Sequence, residues 1–163
     1  MKKLFCFLLP FILSFALCSC ANETDTIRVP VNFYYPLTNA VYGTQPGVID
    51  AEIFDAENLE DDYPNLLRCY LEGPHSETLR NFFPIGTELI SFYDFNGHVQ
   101  IIFTSHLSKL SNAELTVACA CITKTVIELT GAETVQINTE DSSLNEIESV
   151  RFTLENFVCF NAD

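Results

Sequence analysis

The chain has 163 residues, 48% of them apolar, and 22 Asp and Glu against 8 Lys and Arg give it a formal charge of −14. A surface this acidic repels nucleic-acid phosphates and anionic head groups, and no basic cluster offsets it, so nucleic-acid binding is excluded. The length suits one compact domain, with 14 Phe and 6 Tyr to help fill its core.

Met1-Lys2-Lys3 is a basic start, residues 4–17 are almost wholly apolar, and Leu17-Cys18-Ser19-Cys20 brings small residues to a cleavage point. This is the pattern of a signal peptide over residues 1–19. The apolar run is shorter than the ~20 residues of a membrane span, and Pro10 interrupts it. Leu17-x-Ser19-Cys20 resembles a bacterial lipobox, which implies cleavage before Cys20 and a diacylglyceryl group on its sulfur. Cys18 is a poor acceptor because bulky Leu17 would occupy its cleavage site. The expected consequence is attachment to the lipid bilayer through acylated Cys20, on the extracytoplasmic face of the cell membrane, with simple secretion as the alternative. Two acyl chains suffice, since each buried methylene contributes ~0.8 kcal/mol. Removal of residues 1–19 leaves 144 residues and takes away Lys2 and Lys3, so the formal charge deepens from −14 to −16. Residues 20–27 then form the lipidated cysteine and a short tether.

Residues 27–35 alternate, with Val29, Val31, Phe33 and Tyr35 on one face, and read as a strand whose Pro30 marks a sheet edge. Residues 48–54 alternate again, Ile49, Ala51 and Ile53 against Asp50 and Glu52, as a second, antiparallel strand. The carboxylates of residues 55–62 lack the ligand spacing and central glycine of a calcium loop. They fit better as an Asp61 or Asp62 cap on a helix over 61–72, with negative charge at its positive end. In that helix Leu66, Leu67, Tyr70 and Leu71 share one face, and Gly73-Pro74 stops it. After Pro84-Ile85-Gly86-Thr87, two β-prone runs flank Asn96-Gly97, the strongest short hairpin signal.

A two-residue turn pairs Phe95 with His98 and fixes the faces of this hairpin. One face gathers Ile90, Phe92, Val99, Ile101 and Phe103 toward the core. The other carries Leu89, Ser91, Tyr93, Phe95, His98, Gln100 and Ile102. The C-terminal segment is expected to cover this second face, since such patches more often close on their own chain; otherwise Tyr93, Phe95 and Ile102 are free to meet a partner. Ser111-Asn112-Ala113-Glu114 is a capping box. It opens a helix over 111–130 whose stripe is Leu115, Ala118, Cys119, Ile122, Val126 and Leu129, closed by Gly131. Residues 135–138 return as a strand, and the C-terminal extension, 141–163, reads as a turn of helix followed by a strand, packed on the domain. The expected fold is therefore α+β: an antiparallel or mixed sheet with the two main helices packed on one face.

This order resembles the GerMN domain, a family of bacterial envelope proteins named from spore germination and sporulation. The helix end Leu71-Glu72-Gly73-Pro74, the turn Pro84-Ile85-Gly86-Thr87, the hairpin, the capping box and the strand Glu133-Thr134-Val135-Gln136-Ile137 carry the likeness across residues 28–140. The family tends to follow that last strand with an Asp-Gly turn, where this chain reads Asn138-Thr139-Glu140-Asp141-Ser142. The residues Leu71, Glu72, Gly73, Pro74, Pro84, Gly86 and Thr87 have full backbone explanations as a capped helix and tight turns. The resemblance implies a single non-catalytic domain, similar to ring-building modules, that works by protein–protein assembly or self-assembly in sporulation or spore germination.

The residues point to no catalytic or metal chemistry. Cys119 and Cys121 point about 200° apart on a helix and cannot converge on a metal. Cys69, Cys119, Cys121 and Cys159 allow three complete disulfide pairings, but Cys69 and Cys119 fall near apolar helix faces, where a free buried thiol is ordinary packing and the favoured reading. His75, His98 and His106 stand in no nucleophile, zinc or phosphate-loop motif. No catalytic residue, metal or cofactor is expected. Two other classes remain: a module holding a cell-wall or small-molecule ligand near the Gly73-Pro74 and Pro84-Gly86 loops, and a hydrolase.

Overall fold

The computed structural model of the chain describes residues 30–40, 47–56, 62–141 and 151–157. The expectations for the signal peptide, the tether with Cys20, Asp61, residues 142–150 and Cys159 lie outside these residues.

Two sheets form. In the first, β1 (Pro30–Pro36) pairs antiparallel with β2 (Ile49–Asp55), Tyr34 standing opposite Ala51. In the second, β3 (Leu89–Phe95), β4 (His98–Phe103), β5 (Thr134–Thr139) and β6 (Arg151–Phe152) lie in that order. The β4–β5 pair is parallel and its neighbours are antiparallel. A parallel pair needs a crossover, which helix α2 (Asn112–Thr130) supplies after a 3₁₀ turn, Ser105–Lys109, that the periodicity does not announce.

Local chemistry sets the ends of these elements. Helix α1 (Tyr63–Glu72) is capped by Asp62, whose carboxylate accepts from the Asn65 amide at 3.2 Å. In α2, Ser111 accepts from the Glu114 amide at 3.4 Å, and Glu114 accepts in return from the Ser111 amide at 3.1 Å. Gly131 closes α2 in the left-handed conformation. Asn96 and Gly97 take positive φ of 50° and 79°, the primed turn that matches strand twist.

The α+β class and the helix–hairpin–helix–strand order stand as read. The packing is richer than two helices on one face. Beyond the expected stripe, Val117, Ala120, Cys121, Thr123 and Thr125 of α2 are buried too, because the helix lies between β1 and β5. Its contact with β1 runs along that strand's outer edge. The Tyr34 amide, turned away from β2, donates to the Thr125 hydroxyl at 3.0 Å, and the Tyr34 carbonyl accepts from the Tyr70 hydroxyl at 2.7 Å. Tyr35 in turn donates to the Tyr70 carbonyl at 2.8 Å. Further along this edge Arg80 donates its amide to Pro36 and Thr38 donates to Thr78, each at 2.9 Å. Around these bonds Phe33, Tyr35, Phe54, Tyr70, Phe82 and Phe83 pack ring against ring.

Three local expectations are corrected. A bulge between Leu89 and Ser91 restores Leu89 to the core side, opposite Phe103, and leaves Ile90 exposed. Ile53, placed with Ile49 and Ala51 by alternation, is 70% exposed, and Phe54 packs inward on Phe33 at 5.0 Å. In the C-terminal extension, the expected turn of helix lies outside the described residues; the strand is described over two residues and is followed by a 3₁₀ turn, Leu154–Asn156, that was not expected.

Replacing Thr125 with Val leaves the buried Tyr34 amide unpaired and is expected to cost about 1–3 kcal/mol in denaturant unfolding. Ile122→Asp, at a fully buried position, costs more, several kcal/mol by the same assay, because the carboxylate loses its hydration. Glu128→Gln stays below about 1 kcal/mol, since an amide oxygen can still accept from Tyr34.

The Glu114 carboxyl is held below the usual range, first by the Ser111 hydroxyl and then by its amide. A depressed folded-state pKa contributes stability that is full above the unfolded value and is lost as pH falls through the folded one. Wild type and Glu114→Gln should therefore differ in thermal midpoint at neutral pH and converge in acid.

Candidate functional site

The residues singled out in the sequence fall into two neighbourhoods. The family-motif residues surround the loop from α1 to β3. Leu71 packs on the core, and Gly73, at φ 95°, sits beneath Asn81, whose side chain would clash with any added Cβ. Asn81 donates to the Glu72 carbonyl at 3.3 Å and accepts from the Phe83 amide at 2.9 Å, which clasps the helix end to the aromatic core. Pro84 accepts from the amide and hydroxyl of Thr87 at 3.0 and 2.8 Å. Gly86, at φ 90°, lies against the His106 ring, 3.0 Å from a Cβ built there. The Thr104 hydroxyl donates to the Gly86 carbonyl at 2.9 Å and accepts from the Glu88 amide at 3.1 Å.

The loop between these turns offers two adjacent backbone amides, His75 and Ser76, of the kind that bind anions. Both already donate to the Glu52 carboxylate, at 2.9 and 2.8 Å. A ligand's acid group would have to displace the chain's own side chain. Asn81, Glu52, Thr104 and Thr125 were not singled out in the sequence; Asn81 works on near neighbours, Glu72 and Phe83, whereas the partners of Glu52, Thr104 and Thr125 lie farther along the chain.

The second neighbourhood is the outward face of the β3–β6 sheet. Tyr93 is 56% exposed and Phe95 73%. Ile102, expected beside them, shares this face across from Ser91 but is half-buried. The cover anticipated from the C-terminal extension is not given by residues 151–157. Phe152 stands opposite buried Val135 and stacks on Phe157 at 5.3 Å, on the helix side of the sheet.

Other groups are dispersed. His75 is near Glu52, His98 bonds Thr134 at 2.8 Å, and His106 lies against Gly86. Cys69, Cys119 and Cys121 are thiols, and burial pushes the Cys119 thiol up to about 12. Among the described residues no group of three or more His, Cys, Asp or Glu converges to hold a metal. A groove of about 230 Å³ between Val31, Asn32, Tyr63, Leu66 and Glu128 is smaller than the ~300–1,000 Å³ of ligand pockets.

A family model described as sporulation and spore germination, Germane, matches residues 32–145. The chain belongs to this family. Among solved structures, a candidate lipoprotein from Clostridium perfringens, determined by crystallography, aligns with TM-score 0.51 at 19% identity, over 82% of this chain and 95% of that one. The tandem GerMN domains of the sporulation protein GerM from Bacillus subtilis align with TM-score 0.52 at 20% identity, over 76% of this chain and 44% of that one. The GerMN fold is thus present, in a chain that spans less than half of the tandem protein. Among curated proteins, no sequence matches. Among the described residues no helix is long and apolar enough to cross a membrane. The GerMN motif residues lie in turns and caps, and Tyr93 and Phe95 lie apart from them on an open sheet face.

Gly86→Ala should lower the thermal midpoint by the equivalent of about 1–2 kcal/mol, from positive φ and the nearby His106 ring. Gly73→Ala should cost at least as much, because its added methyl meets Asn81.

Proposed function

We propose that this GerMN domain is a membrane-anchored, non-catalytic assembly module of the cell envelope, acting in sporulation or spore germination through protein–protein contacts on the outward hairpin face. The observation that carries the reading is the exposure of Tyr93 and Phe95 together on one sheet face. Protein interfaces draw their energy from a few clustered aromatic and apolar anchors, and Ile102 extends the cluster. Family membership supports the process, since the matching family is described by sporulation and germination. The anchor is supported by the Leu17-x-Ser19-Cys20 pattern and by the similarity in fold to a candidate lipoprotein.

The rival reading, a ligand held near Gly73-Pro74 and Pro84-Gly86, is disfavoured by the occupancy of the His75 and Ser76 amides by Glu52. For a hydrolase, the described histidines engage three separate neighbourhoods, and the one that bonds a hydroxyl, His98 to Thr134, does so at an exposed strand start.

Replacing Tyr93, Phe95 and Ile102 together with Ser should abolish in-cell cross-links while the circular dichroism spectrum is preserved. His75, His98 and His106 changed to Gln should leave function nearly intact. Loss of function from one histidine change, with fold and cross-links kept, would overturn the assembly reading. Cys20→Ala should release a folded protein from the membrane fraction; retention after a carbonate wash would refute the lipid anchor.

A further inference from the structure

The sheet edges differ in how they are closed. The outer edge of β1 is satisfied by Thr125, Tyr70 and residues 78–80. Strand β2 carries Asp50, Glu52 and Asp55, charges of the kind that keep an edge from pairing, and β6 is two residues long. Strand β3 is less protected: a bulge breaks it at its Ile90 end, and the run from Ser91 to Phe95 is neither short nor rich in charge. Its one charged residue is Asp94, and it carries no Lys or Pro. Of the six large apolar side chains exposed among the described residues, three belong to it: Ile90, Tyr93 and Phe95.

The register shows which backbone groups are open. A two-residue turn makes Phe95–His98 a hydrogen-bonded pair, and bonded and non-bonded pairs then alternate. Tyr93–Gln100 is bonded, whereas Asp94 opposite Val99 and Phe92 opposite Ile101 turn their amides and carbonyls away from β4. Among the described residues nothing bonds to those groups.

Charge selects the occupant. Outward positions on this sheet, including Tyr93, Phe95, Gln100, Ile102, Gln136 and Asn138, contain no Asp or Glu, and Arg151 opposite Gln136 adds a positive charge, although the chain carries a net charge of −14. A basic partner would be drawn to the acidic surfaces elsewhere. A second copy of this acidic chain meets least repulsion on this face.

We propose that β3 is a self-pairing edge, along which two copies join antiparallel about a two-fold axis through Tyr93. Phe92 of each copy then lies opposite Asp94 of the other, and their outward amides and carbonyls bond reciprocally. Tyr93 faces its own counterpart in a non-bonded pair, where side chains approach most closely. Phe95 faces Ser91, and the two sheets become continuous. The bulge at Ile90 ends the pairable run, so the contact is short. The two Asp94 carboxylates lie diagonally across the junction, so added salt, by screening them and the net charge, strengthens the pair.

This pairing rests on the assembly reading and names the partner. The test is oxidative cross-linking and sedimentation of the full chain. Tyr93→Cys is expected to give a disulfide-linked dimer above the background of the unsubstituted protein, because its counterpart sits within disulfide reach. Phe95→Cys, whose counterpart lies four residues further along the partner strand, should give roughly ten-fold less. Asp94→Pro removes an amide that β4 does not use, so it should keep the fold and abolish the dimer; Asp94→Asn keeps that amide and should strengthen it. Equal cross-linking of Tyr93→Cys and Phe95→Cys, or an undiminished dimer in folded Asp94→Pro, overturns the proposal. A dimer that weakens with salt does so as well. If the chain stays monomeric while a photo-cross-linker at position 93 captures another protein in cells, self-pairing falls and the assembly reading stands. If it captures nothing, both fall.

Discussion

Tyr34 places a backbone amide and a backbone carbonyl on the buried outer side of β1, with no neighbouring strand to receive them. Buried backbone groups left unpaired cost about as much as a lost hydrogen bond each. Here a hydroxyl from α2 and a hydroxyl from α1 take the place of a strand: Thr125 accepts and Tyr70 donates. Side chains thus do at this edge what a ladder does elsewhere, and they tie the first strand to both helices at once. The position of β1 fixes where the aromatic cluster forms, which holds the loop from Gly73 to Thr87, which in turn delivers the chain to β3.

The site follows from that scaffold. Motif residues that mark the family hold the loop: Gly73 admits Asn81, and Gly86 admits His106. Their conformations and close contacts account for them without a ligand. Among the described residues, the sheet they support shows one face to α1 and α2 and leaves the other open. A fold of this kind can keep its turns fixed while the outward residues set what it meets.

Much of this was legible from local chemistry. The capping box at Ser111, the turn at Asn96-Gly97 and the stop at Gly73 are decided within a few residues, and each formed as its spacing implied. What depended on distant partners was not legible. Thr123 and Thr125 read as polar positions flanking an apolar stripe, yet both are buried, since α2 touches a second sheet that periodicity cannot announce. Ile90 and Leu89 exchanged faces because one inserted residue shifts the alternation, and a bulge has no fixed sequence signal. Tyr93 and Phe95 were placed correctly by parity. Whether they stay open depends on partners far along the chain, and among the described residues Phe152 and Phe157 pack on the helix side.

The span of the Tyr34–Thr125 bond, 91 residues, bears on the order in which the protein can be made. Synthesis runs from the N-terminus, so β1 and β2 emerge long before the helix that completes β1's outer side. Contacts between segments so far apart in sequence must wait for the intervening chain, and topologies rich in them fold slowly. Until residue 125 is available, an aromatic strand with an open edge stands exposed, the state in which chains are most prone to misassociate. For this domain the vulnerable interval is set by the ribosome's progress from Tyr34 to Thr125, and its early strands depend on remaining unpaired until then.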